Sequence, residues 1–137
     1  ILAGSADVPL AKYAERYLYR YLFRHNIEVY EYEQNILHGK IALCDEKYIT
    51  AGSYNVNNIS AFASVELNVD IISGPLATDL RERLLAIIES DCRKIDKEKF
   101  WRSSSLAERF FFFLSYRLIH LLFFLFTFYF IQRKQQD

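Results

Sequence analysis

Glycine is scarce, with four in 137 residues, and nowhere does it form the closely spaced cluster that cradles nucleotide phosphates. Neither sign of charge is in excess, since 17 Lys+Arg face 17 Asp+Glu. A dedicated nucleic-acid binder carries a large basic surplus, so that class is disfavoured. Cysteine is limited to Cys44 and Cys92, too few for a disulfide framework in a chain this long. A reducing compartment is therefore the default. The two cysteines stand far apart with no histidine paired to either, and no metal site or cofactor is indicated. Repeats and low-complexity stretches are also missing. What is present is a folding composition, 52% hydrophobic and 25% charged, at a length that supports one domain with a real core. The aromatics are unevenly spread: nine of the 12 phenylalanines fall between Phe110 and Phe130.

The chain opens Ile1-Leu2-Ala3-Gly4-Ser5, which reads as the end of a core strand cut from a longer protein. Asp7 is an expected N-cap, and Pro9 suits a first helical turn. The helix should run from Val8 to Arg24 and bury Leu10, Ala14, Tyr17, Leu18 and Tyr21. Lys12, Arg16, Arg20 and Arg24 recur every four residues along another face, as a solvated stripe or a patch for anionic headgroups. Strands are expected at Ile27–Glu33, Ile36–Cys44, Tyr48–Ala51 and Val65–Ile72, with a turn at Asp45–Lys47. In the last strand Val65, Leu67, Val69 and Ile71 alternate as an inward face. A second helix, Pro75–Ile95, should bury Leu76, Leu80, Leu84, Ile87, Ile88 and Cys92. The expected class is α/β, a mixed sheet flanked by helices.

Arg93–Arg102 reads as a charged connector. Ser105-Leu-Ala-Glu108 fits a capping box, so a new helix should start there and stay apolar to Ile131. Twenty-six helical residues reach about 39 Å, more than a hydrocarbon layer of roughly 30 Å. Arg109, Arg117, His120 and Thr127 share one sector of it, and a cation near mid-bilayer is costly. An interfacial or re-entrant helix fits this pattern better than a uniform span or a soluble partner-facing helix. The organisation expected is residues 1–95 as a catalytic half-domain, 96–105 as a linker and 106–131 as a membrane-associating helix.

The densest chemical signal is Leu37-His38-Gly39-Lys40-Ile-Ala-Leu-Cys44-Asp45, followed by Gly52-Ser53-Tyr54-Asn55. His38 and Lys40, two apart on an extended segment, project from one face. An imidazole beside an ammonium suits a phosphate ester, the cation holding the anionic oxygens while the imidazole attacks or moves a proton. Asn55 can donate an amide hydrogen bond to the same phosphate. Taken singly each has an ordinary explanation. Cys44 reads as a small core residue, His25 as a helix end, His120 as part of the polar stripe, and Tyr48 and Tyr54 as packing.

Together, His-x-Lys-x4-Asp-x6-Gly-Ser-x-Asn resembles the signature of the phospholipase D superfamily, with His38, Lys40, Asp45, Gly52, Ser53 and Asn55 in place and Glu66-Leu67-Asn68 following. The resemblance covers roughly Ile1 to Ile95. Val29-Tyr30-Glu31-Tyr32, Gly52-Ser53-Tyr54-Asn55-Val56 and Glu66-x-Asn68 make it similar to the C-terminal half of bacterial cardiolipin synthases. That resemblance implies a phospholipase D-like sheet and catalytic residues His38, Lys40, Asp45 and Glu66. Lys40, Ser53 and Asn55 would hold the phosphate, Glu66 would orient the imidazole, and Asp45 would be structural.

It also implies two such motifs facing across one site without a metal, one histidine forming a phosphohistidine and the other moving protons. The reaction implied is transfer of phosphatidyl from a phospholipid donor to phosphatidylglycerol at the cell membrane, on the cytoplasmic side. The chain would be peripheral or anchored there, and partnered by a missing N-terminal half or a second copy. A homodimeric phosphodiesterase or nuclease of the same superfamily is the alternative. A catalytically idle membrane or assembly module is a third reading, which the intact His/Lys/Asn/Glu set argues against.

Overall fold

The computed structural model describes residues 1–5, 8–35, 37–55 and 64–134. In chain order the elements are β1 (Leu2–Ala3), α1 (Pro9–Arg24), β2 (Tyr30–Tyr32), β3 (Ile41–Cys44), β4 (Tyr48–Gly52), β5 (Asn68–Ile72), α2 (Gly74–Asp91), β6 (Cys92–Lys94), α3 (Lys97–Ser103) and α4 (Leu106–Lys134). The mixed α/β class and the C-terminal apolar helix agree with expectation, although the strands divide between two three-stranded sheets. The chain forms two compact units, Ile1–Leu37 with Ile88–Leu121, and His38–Ile87 with Leu122–Asp137.

In the first unit α1 begins at Pro9 behind Val8, whose extended backbone caps the helix without a side-chain hydrogen bond. The expected cap, Asp7, lies outside the described residues, as does Ile36. At the other end Asn26 takes φ 56°, and the amides of Asn26 and Ile27 donate to the carbonyls of Phe23 and Leu22. That is a Schellman closure, with asparagine at the left-handed position. β1 runs parallel to β2, and β2 pairs antiparallel with β6. Tyr19, Phe23, Val29 and Ile95 form the core between α1 and this sheet, flanked by Leu2, Leu22 and Phe100.

The buried face of α1 differs from the expected one. Lys12, Ala14, Tyr19 and Phe23 are buried, while Tyr17, Leu18 and Tyr21 are exposed. The cause is Glu31, 1% exposed at the centre of β2. It draws in Lys12 at 3.1 Å, Arg16 at 3.8 Å and Arg93 at 2.7 Å, and accepts the Tyr19 hydroxyl at 2.8 Å. Burial pushes the Glu31 carboxyl up, but the hydrogen bonds from Tyr19 and Lys12 and the charges of Lys12 and Arg16 hold it below the usual range. Burial raises the Tyr19 phenol, reinforced by Glu15 and Glu31, so it stays protonated. The four-residue basic stripe is thus split, two of its members serving this internal carboxylate.

Two further expectations for this unit are corrected. Cys92 belongs to a strand, because pairing with Tyr32 overrides the helical pattern before it. The connector is folded: after β6, Asp96 caps α3 by accepting the Lys99 amide. The capping box at α4 is as expected. Ser105 Oγ accepts the Glu108 amide at 3.2 Å, and Glu108 Oε2 accepts the Ser105 amide at 2.7 Å. Tyr13 stacks on Phe112 at 5.9 Å, and Tyr17 on Tyr116 at 4.8 Å, joining α1 to α4. Leu106–Phe128 is long and apolar enough to cross a membrane, with a mean hydropathy of 1.8.

The second unit carries the antiparallel order β3-β4-β5. Asp45 and Glu46, at φ 51° and 50°, form the β3–β4 turn, and Lys47 donates its amide to the Cys44 carbonyl at 3.2 Å. Two consecutive positive φ values suit a turn whose twist matches its strands. The strand expected at Val65–Ile72 begins only at Asn68, where pairing with Gly52 starts, and its expected inward face is open: Val65, Leu67 and Val69 are exposed. Alternation sets which residues share a face, but a three-stranded meander supplies no second layer to cover it. In α2, similarly, Leu76 and Ile87 are exposed and Ala77 is the buried residue. Cys44, expected in the core, is exposed. A hydrogen bond to Asp45 and that residue's charge hold its thiol above the usual value, which makes it a poor nucleophile.

Candidate functional site

His38 and Lys40 lie just before β3, outside the strand expected to carry them because β3 pairs with β4 only from Ile41 on, and the structure joins their side chains. Lys40 Nζ is 3.0 Å from His38 Nδ1 and donates to the His38 carbonyl at 2.8 Å. An ammonium can only donate, so Nδ1 is the acceptor in this contact. The His38 side chain is exposed and Lys40 half-buried, so both can reach a ligand from solvent.

The Gly52-Ser53 corner is held against the start of β5. The Gly52 amide donates to the Lys40 carbonyl at 3.1 Å, and the Ser53 amide to the Leu67 carbonyl at 3.0 Å. Ser53 Oγ donates to Glu66 Oε2 at 2.6 Å and accepts the Leu67 amide at 3.0 Å. Ser64, which sequence reasoning did not single out, donates to Glu66 Oε1 at 2.7 Å. Its place two residues before Glu66 was the available signal. Asn68 fixes the next step by accepting the Tyr54 amide at 3.1 Å. Asn55 is exposed beyond it.

Gly52 is required here for space. A Cβ at this position would lie 2.2 Å from both the Leu67 carbonyl oxygen and Asn68 Oδ1, and 2.6 Å from the Asn68 Cα. Backbone atoms cannot swing aside, so Gly52→Ala must part β4 from β5. We expect a loss of about 1–3 kcal/mol, read from chemical denaturation; an unchanged midpoint would contradict this packing.

Asp45 is not gathered into the group. It occupies the turn at the far end of β3 from His38, and four strand residues span about 13 Å. Tyr48 is engaged elsewhere, its phenol raised by a hydrogen bond to Asp70. The assembled set is therefore an exposed imidazole with its ammonium, and a serine–carboxylate pair at the next corner. It presents an imidazole and a cation to solvent, while the Ser53 and Ser64 hydroxyls give their protons to Glu66 and the imidazole contacts Lys40 rather than Glu66.

The family model for the phospholipase D-like domain of cardiolipin synthase matches residues 1–88. The chain belongs to this family. Cardiolipin synthase B of Salmonella typhi is 38% identical over 97 residues, covering 71% of this chain and 24% of that protein. Cardiolipin synthase B of Escherichia coli strain K12 is 37% identical over the same length. The chain thus spans about a quarter of the length of these relatives. No solved structure matches it significantly. The matched residues 1–88 of this phospholipase D-like domain hold the whole His38–Glu66 group and end before β6, α3 and α4.

Proposed function

We propose that this chain is a half-site of a phosphatidyltransferase of the cardiolipin synthase type, the C-terminal half by its motif context. The observations that support the reading are the His38–Lys40 contact and the Ser53–Glu66 hydrogen bond, on two segments joined by the bond from the Gly52 amide to the Lys40 carbonyl. In the reaction, phosphatidyl passes from a phospholipid donor to phosphatidylglycerol through a phosphohistidine. Lys40, Ser53 and Asn55 hold the phosphoryl oxygens, and Glu66 orients the imidazole. A partner motif, from an N-terminal half or a second copy, supplies the other histidine. Residues 1–95 are the catalytic part, and 106–131 associate with the cell membrane, the catalytic part on the cytoplasmic side.

The proton inventory sets one condition. An imidazole that gives and takes a proton at Nε2 needs Nδ1 protonated throughout, yet Nδ1 here accepts from Lys40. A bound phosphate is the stronger partner for the ammonium, because both groups are charged. Its arrival draws Lys40 away, and Nδ1 can then carry a proton toward a carboxylate, the role assigned to Glu66. Substrate thus arms the imidazole by removing its resting partner.

With one His-x-Lys motif in the chain, a monomer lacks the second histidine. Residues 1–137 should show little or no conversion of phosphatidylglycerol to cardiolipin at dilutions where light scattering reports a monomer. Robust turnover by the monomer would overturn the half-site reading.

A further inference from the structure

We propose that the first unit holds an anionic-lipid headgroup site at the base of α4, sharing no residue with the His38 group. A cavity of about 380 Å³ is lined by Tyr17, Arg20, Trp101, Arg109 and Phe112. Its lining has two guanidiniums, three aromatic rings and no carboxylate. Neither Arg20 nor Arg109 forms an ion pair among the described residues. Arg109 instead lies over the Trp101 ring at 5.2 Å and donates to the Trp101 carbonyl, which fixes it at the cavity rim.

The neighbouring cavity provides the contrast. It also gathers cations, among them Arg16 and Arg93, but Glu31, Asp96 and Glu108 stand with them. That charge is internally satisfied. At the Arg20–Arg109 cavity it is left for something outside.

Position identifies the occupant. The cavity opens where the apolar run Leu106–Phe128 begins, and Leu106, Phe110 and Phe111 on that turn are exposed. A tryptophan and arginines at the start of a long apolar helix are the residues that sit at headgroup depth. A lipid satisfies both halves, its phosphate on the guanidiniums and its acyl chains along the exposed face of α4. Free phosphate would leave that apolar surface bare. Arg20, the third member of the basic stripe, thus finds a use that Lys12 and Arg16 do not share.

Trp101 is the sole tryptophan, so its emission reports directly on the cavity. Vesicles of phosphatidylglycerol in phosphatidylcholine should blue-shift it saturably, and pure phosphatidylcholine vesicles much less. Arg20→Gln should weaken this binding roughly fivefold, and Arg20→Lys should retain it. Arg20 is exposed and forms no side-chain hydrogen bond or ion pair among the described residues, so the single variant decides the matter. The same charge removed at Arg83, in α2, should change affinity by less than about twofold. His38→Ala should bind like the parent, which separates this site from the proposed active site. Equal losses at Arg20 and Arg83, no loss at Arg20, loss at His38→Ala, or saturation by inorganic phosphate without preference for the anionic vesicles would each overturn the proposal.

Discussion

Replacing His38 by alanine, in a protein holding both motifs, should cut phosphatidyl transfer by about 10²–10⁴-fold, the range expected when a positioned proton carrier is lost. As the second motif of the pair, His38 is proposed to move protons while its counterpart takes the phosphatidyl group. A trapped phosphoenzyme should therefore still form in the variant, and its turnover should fail. Quenched-flow capture of radiolabelled adduct distinguishes the outcomes. Loss of the adduct together with activity would make His38 the nucleophile. Unchanged activity would leave the chain as an idle module. Lys40 bears on the same test, because its ammonium rests on Nδ1 at 3.0 Å. Lys40→Ala frees the ring but removes the phosphate anchor, so it should raise KM as well as lower kcat.

The largest effect on stability should come from Glu31→Gln. The carboxylate is 1% exposed and stands among Lys12, Arg16 and Arg93. Its neutralisation leaves three cations facing one another around a buried amide. Removing one partner of a buried ionic group costs about 3–5 kcal/mol, a large share of the 5–15 kcal/mol that holds a typical domain folded. Urea denaturation should show the unfolding free energy fall by that amount; a loss below about 1 kcal/mol would mean that packing, not charge, sustains this sheet. The pH dependence follows. Because the folded carboxyl sits below its usual value, its contribution is present above the unfolded pKa of about 4.3. It is lost as pH falls through the lower folded value. Acid, not base, should therefore loosen the first unit, and Glu31→Gln should flatten that dependence.

What could be read from the residues alone follows the range of each interaction. The Ser105–Glu108 box and the Asp45–Lys47 turn are closed by residues within four of one another, and each is where its spacing put it. The burial of Lys12 is different. Its carboxylate partner lies 19 residues on and is shared with Arg93, a further 62 residues along. No window on α1 contains that information, and an ammonium at four-residue spacing from three arginines looks solvated. The strand at Cys92–Lys94 was hidden likewise, because only its pairing with Tyr30–Tyr32 makes it one. In the expected strand Val65–Ile72 the alternation misjudged both the start, which is Asn68, and the environment, since Val65, Leu67 and Val69 are exposed. Periodicity says which side chains point together; what covers them is decided elsewhere.

The sheet order β1-β2-β6 also dictates a schedule for synthesis. β2 is translated early, yet its antiparallel neighbour arrives 60 residues later, the separation of Tyr32 and Cys92. At about 5–20 residues per second the ribosome needs roughly 3–12 s to cover that interval. Throughout it Glu31 waits without Arg93, and Tyr19 and Phe23 without Ile95. The β3-β4-β5 meander, whose contacts are local, is complete well before then and can form while the β1-β2-β6 sheet is still incomplete. The meander that carries Gly52 and Ser53 is thus complete first, and the sheet of the first unit is completed last.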